Sequence, residues 1–174
     1  MPMTPTHETA ADDQFRTMIQ IDMQIASFHA NWSHCDYIAT YLARTISHNR
    51  PDSVLFSNLF SSALNELLEI TFRTRHNGGA LACKVSRDGD MDRVELTFSC
   101  GEEERRFFEA AVARIQASDV KDRYLSSLSG DVAPSRDIML LELAVSYNAT
   151  VNLGEGDDGT VTLVVDLPLG GLAH

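Results

Sequence analysis

One short stretch of the sequence, Asn65 to Glu69, carries side chains that could do acid–base or metal chemistry. Glu66 is a carboxylate of the type that serves as a general base, and it stands beside the polar side chains of Asn65 and Glu69. Glu69 precedes Arg73 by four residues, which predicts an ordinary salt bridge along one helix face. The simplest interpretation of Glu66 itself is then a solvated position on that helix.

The histidines and cysteines do not form a recognised site. The internal histidines are dispersed without the spacing of a zinc site, and no Gly-x-Ser-x-Gly elbow singles out a serine nucleophile. The cysteines are odd in number and lack Cys-x-x-Cys spacing, so we expect reduced thiols in the core and no metal site. These residues are His29, His34, His48, His76, Cys35, Cys83 and Cys100.

The charge balance excludes two classes of partner. The chain of 174 residues has 25 acidic and 14 basic side chains, for a formal net charge of −11. Such a chain repels nucleic acid and anionic membrane surfaces. It shows neither a signal peptide nor the apolar run of about 18 residues that a membrane span needs, so we expect a cytoplasmic location.

The carboxylates at Glu66 and Glu69 fall within the strongest helical pattern of the chain. Apolar residues recur there at three- and four-residue steps, and Ile70 continues the same stripe. Asp52 or Ser53 is suited to cap the start of this helix, and the glycines that follow His76 are suited to end it. The stripe consists of Phe56, Leu59, Phe60, Ala63, Leu64, Leu67 and Leu68.

Other patterns predict the elements around this helix. An Asp-Gly turn predicts one hairpin, and a glycine-rich polar turn at 154–159 predicts a second. Asn148 is suited to cap the last helix. The predicted elements are a strand from 18, helices at 33–48 and 53–76, strands at 80–87 and 93–100, helices at 102–117, 120–128 and 138–147, and strands at 150–153 and 160–167.

This order of elements predicts the fold class. Consecutive hairpins without β-α-β alternation exclude a doubly wound parallel fold. We expect an α+β two-layer sandwich, with a mixed, mainly antiparallel sheet and helices on one face. Residues 1–16, rich in Pro, Thr and Asp, are expected to be a flexible lead-in, and residues 17–174 a single domain.

The run LFSSALNELLEITFRTRHNGG at 59–79, with the order of elements over 18–168, resembles the GHKL ATPase superfamily. The resemblance is to its stand-alone anti-sigma-factor serine kinases and implies a histidine-kinase-like ATPase fold. The family's Glu-x-x-x-Asn motif holds a catalytic glutamate and a magnesium-binding asparagine. Glu66 falls on the glutamate, and Ile70, which has no oxygen to offer magnesium, stands at the asparagine.

Two further nucleotide motifs of that family are also altered in this chain. Where the family has Asp-x-Gly-x-Gly against the adenine, Ser99 stands near the aspartate position and Gly101 is the one glycine kept. Where the family bares backbone amides with Gly-x-Gly before the last helix, Asp137 and Met139 stand at the glycine positions. The resemblance therefore implies a degenerate nucleotide site, and no cofactor is expected.

The leading expectation is a regulatory protein of a bacterial partner-switching pathway that binds other proteins on a degenerate ATPase scaffold, in effect a pseudokinase. The resemblance implies a STAS-type anti-sigma-factor antagonist as the partner. It also implies a homodimer formed through the sheet or the first helix. Glu66 and the segment 101–135 are expected to flank the partner surface.

Two alternatives stay open at this point. One is an active ATP-dependent protein serine kinase, with Glu66 as the base, Asn65 or Glu69 replacing the missing magnesium ligand, and ATP and magnesium as cofactors. The other is a histidine-phosphotransfer-like dimer. It requires an exposed histidine on a helix, for which His34 and His48 are the candidates.

Overall fold

The computed structural model of the protein describes residues 14–28, 33–73, 79–130, 137–157 and 159–173. Its strands are β1 (Arg16–Gln24), β2 (Ala80–Asp88), β3 (Met91–Ser99), β4 (Thr150–Gly154) and β5 (Thr160–Leu167). Its α-helices are α1 (Ser33–Ser47), α2 (Ser53–Arg73), α3 (Glu102–Ile115), α4 (Val120–Leu128) and α5 (Ile138–Ser146). Two 3₁₀ helices cover Ile25–Phe28 and Leu169–Ala173.

The predicted order of elements is confirmed, with small shifts at the ends. The first strand begins at Arg16, two residues earlier than the pattern indicated, and Phe15 before it lies against the guanidinium of Arg93, 4.0 Å from ring centroid to Cζ. The rest of the predicted lead-in, residues 1–13, lies outside the described residues. So do the predicted end of α2 at 74–78 and most of the loop before α5, at 131–136.

The strands form one open sheet in the order β1-β2-β3-β5-β4. The sequence predicted a mixed, mainly antiparallel sheet, and every strand pair in the described part of the chain is antiparallel. The β2–β3 pair is closed by a two-residue turn in which Gly89 has φ +57°, a left-handed conformation that glycine adopts without steric cost. The Asp-Gly hairpin prediction is therefore confirmed.

The two faces of the sheet differ in chemistry because side chains alternate along each strand. One face is apolar and buried, as in the cross-strand pairs Leu81 with Phe98 and Val85 with Val94. The opposite face carries polar cross-strand pairs: Lys84–Glu95 at 2.7 Å, Arg93–Asp166 at 2.7 Å and Thr97–Thr162 at 2.9 Å. Helices therefore cover one face, and the fold is the expected α+β two-layer sandwich.

The helix α2 is the main cover of the apolar face. Its 21 residues span about 31 Å at the usual rise of an α-helix. The predicted stripe is buried except for Leu59, which is half-buried, and the helices α1 and α5 and the C-terminal 3₁₀ helix pack against α2. The buried side chains of α2 are Phe56, Phe60, Ala63, Leu64, Leu67, Leu68, Ile70 and Thr71.

The cysteines are free thiols in the structure. Cys35 and Cys83 are buried in the core, as predicted, and Cys100 is half-buried. Burial raises the pKa of Cys35 to about 11 and that of Cys83 to about 12. Both thiols are therefore protonated at neutral pH and act as small apolar side chains.

A buried ion pair closes the end of the β2–β3 hairpin against the helices. Arg87 Nε donates to Asp92 Oδ1 at 2.7 Å, and Arg87 Nη1 donates to the carbonyl of Ile46 in α1 at 3.3 Å. The Arg87 guanidinium also lies 5.1 Å from the ring centroid of Phe56 in α2. Asp92 is fully buried, and burial raises the pKa of its carboxyl although Arg87 and Arg50 oppose that shift. Arg87 therefore connects the hairpin to both α1 and α2.

Replacing Arg87 should destabilise the fold strongly. In Arg87→Ala the buried Asp92 loses its charged partner, and breaking a buried pair in this way costs about 3–5 kcal/mol of unfolding free energy. Urea unfolding followed by circular dichroism measures this loss. The control is Arg123→Ala, whose pair with Asp119 is exposed and should contribute less than about 0.5 kcal/mol. Equal losses in the two variants would show that the buried pair has no special role.

Candidate functional site

Glu66 lies on α2, the helix on which α5 packs, and it is half-buried. The oxygen Oε2 is inaccessible to solvent and has no hydrogen-bond partner within the part of the chain that the structure describes. The interpretation of Glu66 as a solvated helix position was therefore wrong. An unpaired carboxylate oxygen in such a place is costly when charged, and its environment decides its protonation state.

The environment of Glu66 favours the protonated form. Burial is the largest cause, and the carboxylates of Glu142 on α5 and Glu69 on α2 add like-charge repulsion. Together they raise the pKa of Glu66 to about 7. A carboxyl group at this value exchanges its proton with water near neutral pH, whereas an ordinary glutamate is charged there.

Tyr147 and Ser62 complete the cluster around Glu66. Tyr147 lies one residue beyond α5, and its interaction with the side chain of Ser62 on α2 lowers the pKa of its phenol. Burial raises the pKa of Tyr147, and the carboxylates of Glu66 and Glu142 raise it further. We call Ser62, Glu66, Glu142 and Tyr147 the Glu66 cluster.

The sequence gave only weak signals for the other members of this cluster. Ser62 lies four residues before Glu66 on the same helix, so its position could have been found from the helical period. Glu142 is the one acidic side chain within the apolar stretch of α5, which marks it as unusual. Tyr147 carries no local signal, because only the packing of α5 on α2 brings it to Ser62.

Asn65 and Glu69 are engaged with each other and with Arg73. Asn65 Nδ2 donates to Glu69 Oε1 at 3.0 Å, and Arg73 Nη2 donates to Glu69 Oε2 at 3.2 Å. The predicted Glu69–Arg73 pair is thus confirmed. Both oxygens of Glu69 already accept hydrogen bonds, and no group of three or more His, Cys, Asp or Glu in the described ranges could hold a metal ion.

Ile70 lies in the core. Its side chain is 1% exposed and continues the buried stripe of α2, as the periodicity predicted. A hydrocarbon side chain at this place offers no ligand to a hard cation. The position four residues after Glu66 therefore serves packing.

Asp137 lies at the start of α5 and is neutralised there. It is 2% exposed, and Arg114 Nε of α3 donates to its Oδ2 at 2.7 Å. Its backbone carbonyl accepts from the amides of Leu140 at 3.0 Å and Leu141 at 3.1 Å, which closes the first turn of the helix. Met139, half-buried, packs against the core. A buried carboxylate thus stands where the resemblance predicts bare backbone amides for a phosphate.

Ser99 and Gly101 lie at a different place, the junction of β3 and α3. Ser99 is the last residue of β3 and pairs with Thr160, and Gly101 precedes the first turn of α3. Between them, Cys100 N donates to the carbonyl of Gly159 at 2.9 Å. Neither Ser99 nor Gly101 makes a hydrogen bond to the Glu66 cluster within the described ranges.

Large apolar side chains are exposed on two helical surfaces. The first, which we call the α4 surface, consists of Leu125 and Leu128, 53% and 63% exposed, on a helix with no buried residue. The second, which we call the α1 surface, borders an open hollow of about 920 Å³ on α1. Its exposed apolar side chains are Tyr37 and Tyr41, while Val54 and Leu55 are exposed in the first turn of α2.

The histidines proposed as phosphate acceptors lie at the ends of α1. His34 is half-buried in the first turn. His48 is exposed but follows Ser47, the last residue of the helix. Only His48 is exposed, and it does not lie on a helix.

Comparisons with known proteins leave the structure as the main guide to function. No family model matches the chain, and no curated protein or solved structure matches it. The class that the fold itself defines is an α+β two-layer sandwich with a five-stranded antiparallel sheet. Among the helices of the described ranges, none has both the length and the apolar character needed to cross a membrane.

Placing an amide side chain at position 70 should lower the free energy of unfolding. In Ile70→Asn a buried apolar side chain is replaced by a polar one without a prepared partner, with an expected loss of about 2–4 kcal/mol in unfolding free energy. The matched control Ile70→Val should lose only about 0.5–1.5 kcal/mol. Urea unfolding with and without magnesium checks both values. If Ile70→Asn kept wild-type stability and magnesium stabilised it further, position 70 would be a ligand position after all.

Proposed function

We propose that this protein is a regulatory protein of a bacterial partner-switching pathway that acts by binding other proteins. Its scaffold resembles that of the GHKL ATPases. One observation supports the proposal above the others: two positions where that family holds magnesium and phosphate are filled by the core residue Ile70 and by the buried Asp137–Arg114 pair. A cytoplasmic location belongs to the same proposal.

Electrostatics disfavour a triphosphate at this place. The start of α5 could attract an anion through its amides, but Asp137 lies there already and takes the nearby cation, Arg114. The neighbouring contact between α2 and α5 adds the carboxylates of Glu66 and Glu142. The chain as a whole has a net charge of −11, so the global field does not offset this local repulsion.

The α4 surface is the part of the molecule that we assign to the partner. The resemblance suggested that the segment 101–135 flanks a partner surface, and within it α4 exposes Leu125 and Leu128 while burying none of its residues. Exposed apolar side chains on one helix are a common basis for binding another protein. The partner class we propose is a STAS-type domain.

Self-association through the sheet or the first helix stays a prediction, and the α1 surface suits it. Two copies of α1 packed antiparallel would place Asp36 of one copy near Arg44 of the other, with Tyr37 and Tyr41 between them. A two-fold interface requires such self-complementary charge. Tyrosine and arginine are also the residue types enriched at the centres of interfaces.

A second candidate function is an ATP-dependent protein serine kinase. One observation favours it: Glu66 has a pKa of about 7, which suits a general base at neutral pH. The buried Oε2, however, has no access to an attacking hydroxyl in this conformation. The kinase therefore ranks below the binding protein.

Charge placed on the α4 surface should weaken partner binding. We expect Leu125→Glu with Leu128→Glu to lower the affinity for a purified STAS-type domain of the same organism at least about tenfold, because both leucines lose apolar contact with the partner. Titration calorimetry at constant salt measures the change. Both side chains are exposed, so the fold should be kept, and circular dichroism confirms that.

The matched control introduces the same charge on the other surface. Tyr37→Glu should weaken self-association and so lower the molecular mass measured by light scattering. It should leave the affinity for the STAS-type domain unchanged. The opposite pattern, with binding lost in Tyr37→Glu and kept in the α4 variant, would contradict the assignment of the two surfaces. Failure of every STAS-type domain to bind the wild type would contradict the proposed partner class.

A further inference from the structure

Glu66 lies on α2, the helix on which α5 packs, and one of its carboxyl oxygens has no group among the described residues that stabilises it as an anion. Glu66 Oε2 is inaccessible and lacks a hydrogen-bond partner within the described ranges. The helix α5 packs on α2, and the charge of its residue Glu142 raises the pKa of Glu66. If both side chains are charged, two like charges act on each other across a packed helix contact.

The other polar groups around Glu66 do not offset this repulsion. On its own helix, Glu69 adds a further negative charge, and Arg73 donates a hydrogen bond to Glu69. From the end of α5, the phenol of Tyr147 interacts with Ser62 and carries no charge at neutral pH. From α4, Tyr124 acts on Tyr147 and carries no charge at neutral pH. Among the described residues, the charged groups that raise the pKa of Glu66 are therefore the carboxylates of Glu142 and Glu69.

We propose that the protonation state of Glu66 controls the packing of α5 on α2, and we call this contact the latch. When Glu66 is protonated its side chain is neutral, and α5 stays packed on α2. When the O–H bond breaks and the proton passes to water, the carboxylate left behind repels Glu142 and α5 loosens. The step involves no oxidation and no other reactant.

Loosening of α5 would reach the α4 surface, because α4 packs on α5. The Asp137–Arg114 pair holds the start of α5 in place. The movement would therefore involve the part of α5 from Glu142 onwards. The latch goes beyond the proposed function, since it concerns only the α2–α5 contact and holds whatever protein the α4 surface binds.

The working range of the latch follows from linkage. The pKa of Glu66 is about 7 in the folded protein, against 4.5 for an ordinary glutamate. The proton therefore stabilises the fold fully below about pH 4.5, and this stabilisation is lost as the pH rises towards 7 and beyond. About nine molecules in ten carry the proton at pH 6, and about one in ten at pH 8.

Hydrogen exchange measured by mass spectrometry tests the latch on the full chain. After correction for intrinsic exchange rates, amides of α5 in the wild type should exchange at least about threefold faster at pH 8 than at pH 6. Glu66→Gln, which keeps the shape and cannot ionise, should give equal exchange at the two pH values. Glu109→Gln, an exposed carboxylate on α3, is the matched control and should behave as the wild type.

Two results would overturn the latch. One is α5 protection in the wild type that does not change between pH 6 and pH 8. The other is the same change in Glu66→Gln as in the wild type, which would assign the effect to another group. If Glu66→Gln does not fold, nuclear magnetic resonance titration of the wild-type carboxyl carbons decides, and a Glu66 pKa below about 5 overturns the proposal. Neither measurement involves nucleotide or partner, so its failure leaves the proposed function untouched.

Discussion

The apolar face of the sheet must be covered, and α2 is the helix that covers it. Its buried stripe from Phe56 to Ile70 packs over the inward side chains of the strands. Removal of this apolar area from water is the main favourable term in folding, at about 25 cal/mol per Å². The helices α1 and α5 and the C-terminal 3₁₀ helix contact α2, so their places follow from this one contact.

The same constraint explains the chemistry of the candidate site. The buried residues Leu64, Leu67 and Ile70 flank Glu66 in the sequence of α2, and Oε2 of Glu66 is inaccessible to water. Packing thus raises the pKa of Glu66 and at the same time puts a hydrocarbon at position 70, where the resemblance predicts a magnesium ligand. The closed site of the proposed binding protein and the proton-sensitive contact between α2 and α5 therefore have the same cause, which is the packing of α2.

Local sequence patterns were enough to predict the helices and strands. They did not predict which residues distant in sequence come into contact. The stripe of α2 follows from its period, and the β2–β3 hairpin follows from Asp88-Gly89, because both signals lie within a few residues. The Arg114–Asp137 pair joins residues 23 apart, and the approach of Glu142 to Glu66 depends on how two helices pack. The sequence around Glu66 therefore suggests a solvated position, because nothing within its own helix indicates the carboxylate of Glu142.

Calorimetric titration of the full chain with magnesium and ATP tests the central claim most directly. A site filled by Ile70 and by the Asp137–Arg114 pair predicts no saturable heat up to millimolar nucleotide. Saturable binding with a Kd near or below about 1 mM, or roughly −4 kcal/mol, would contradict the closed site and favour the kinase.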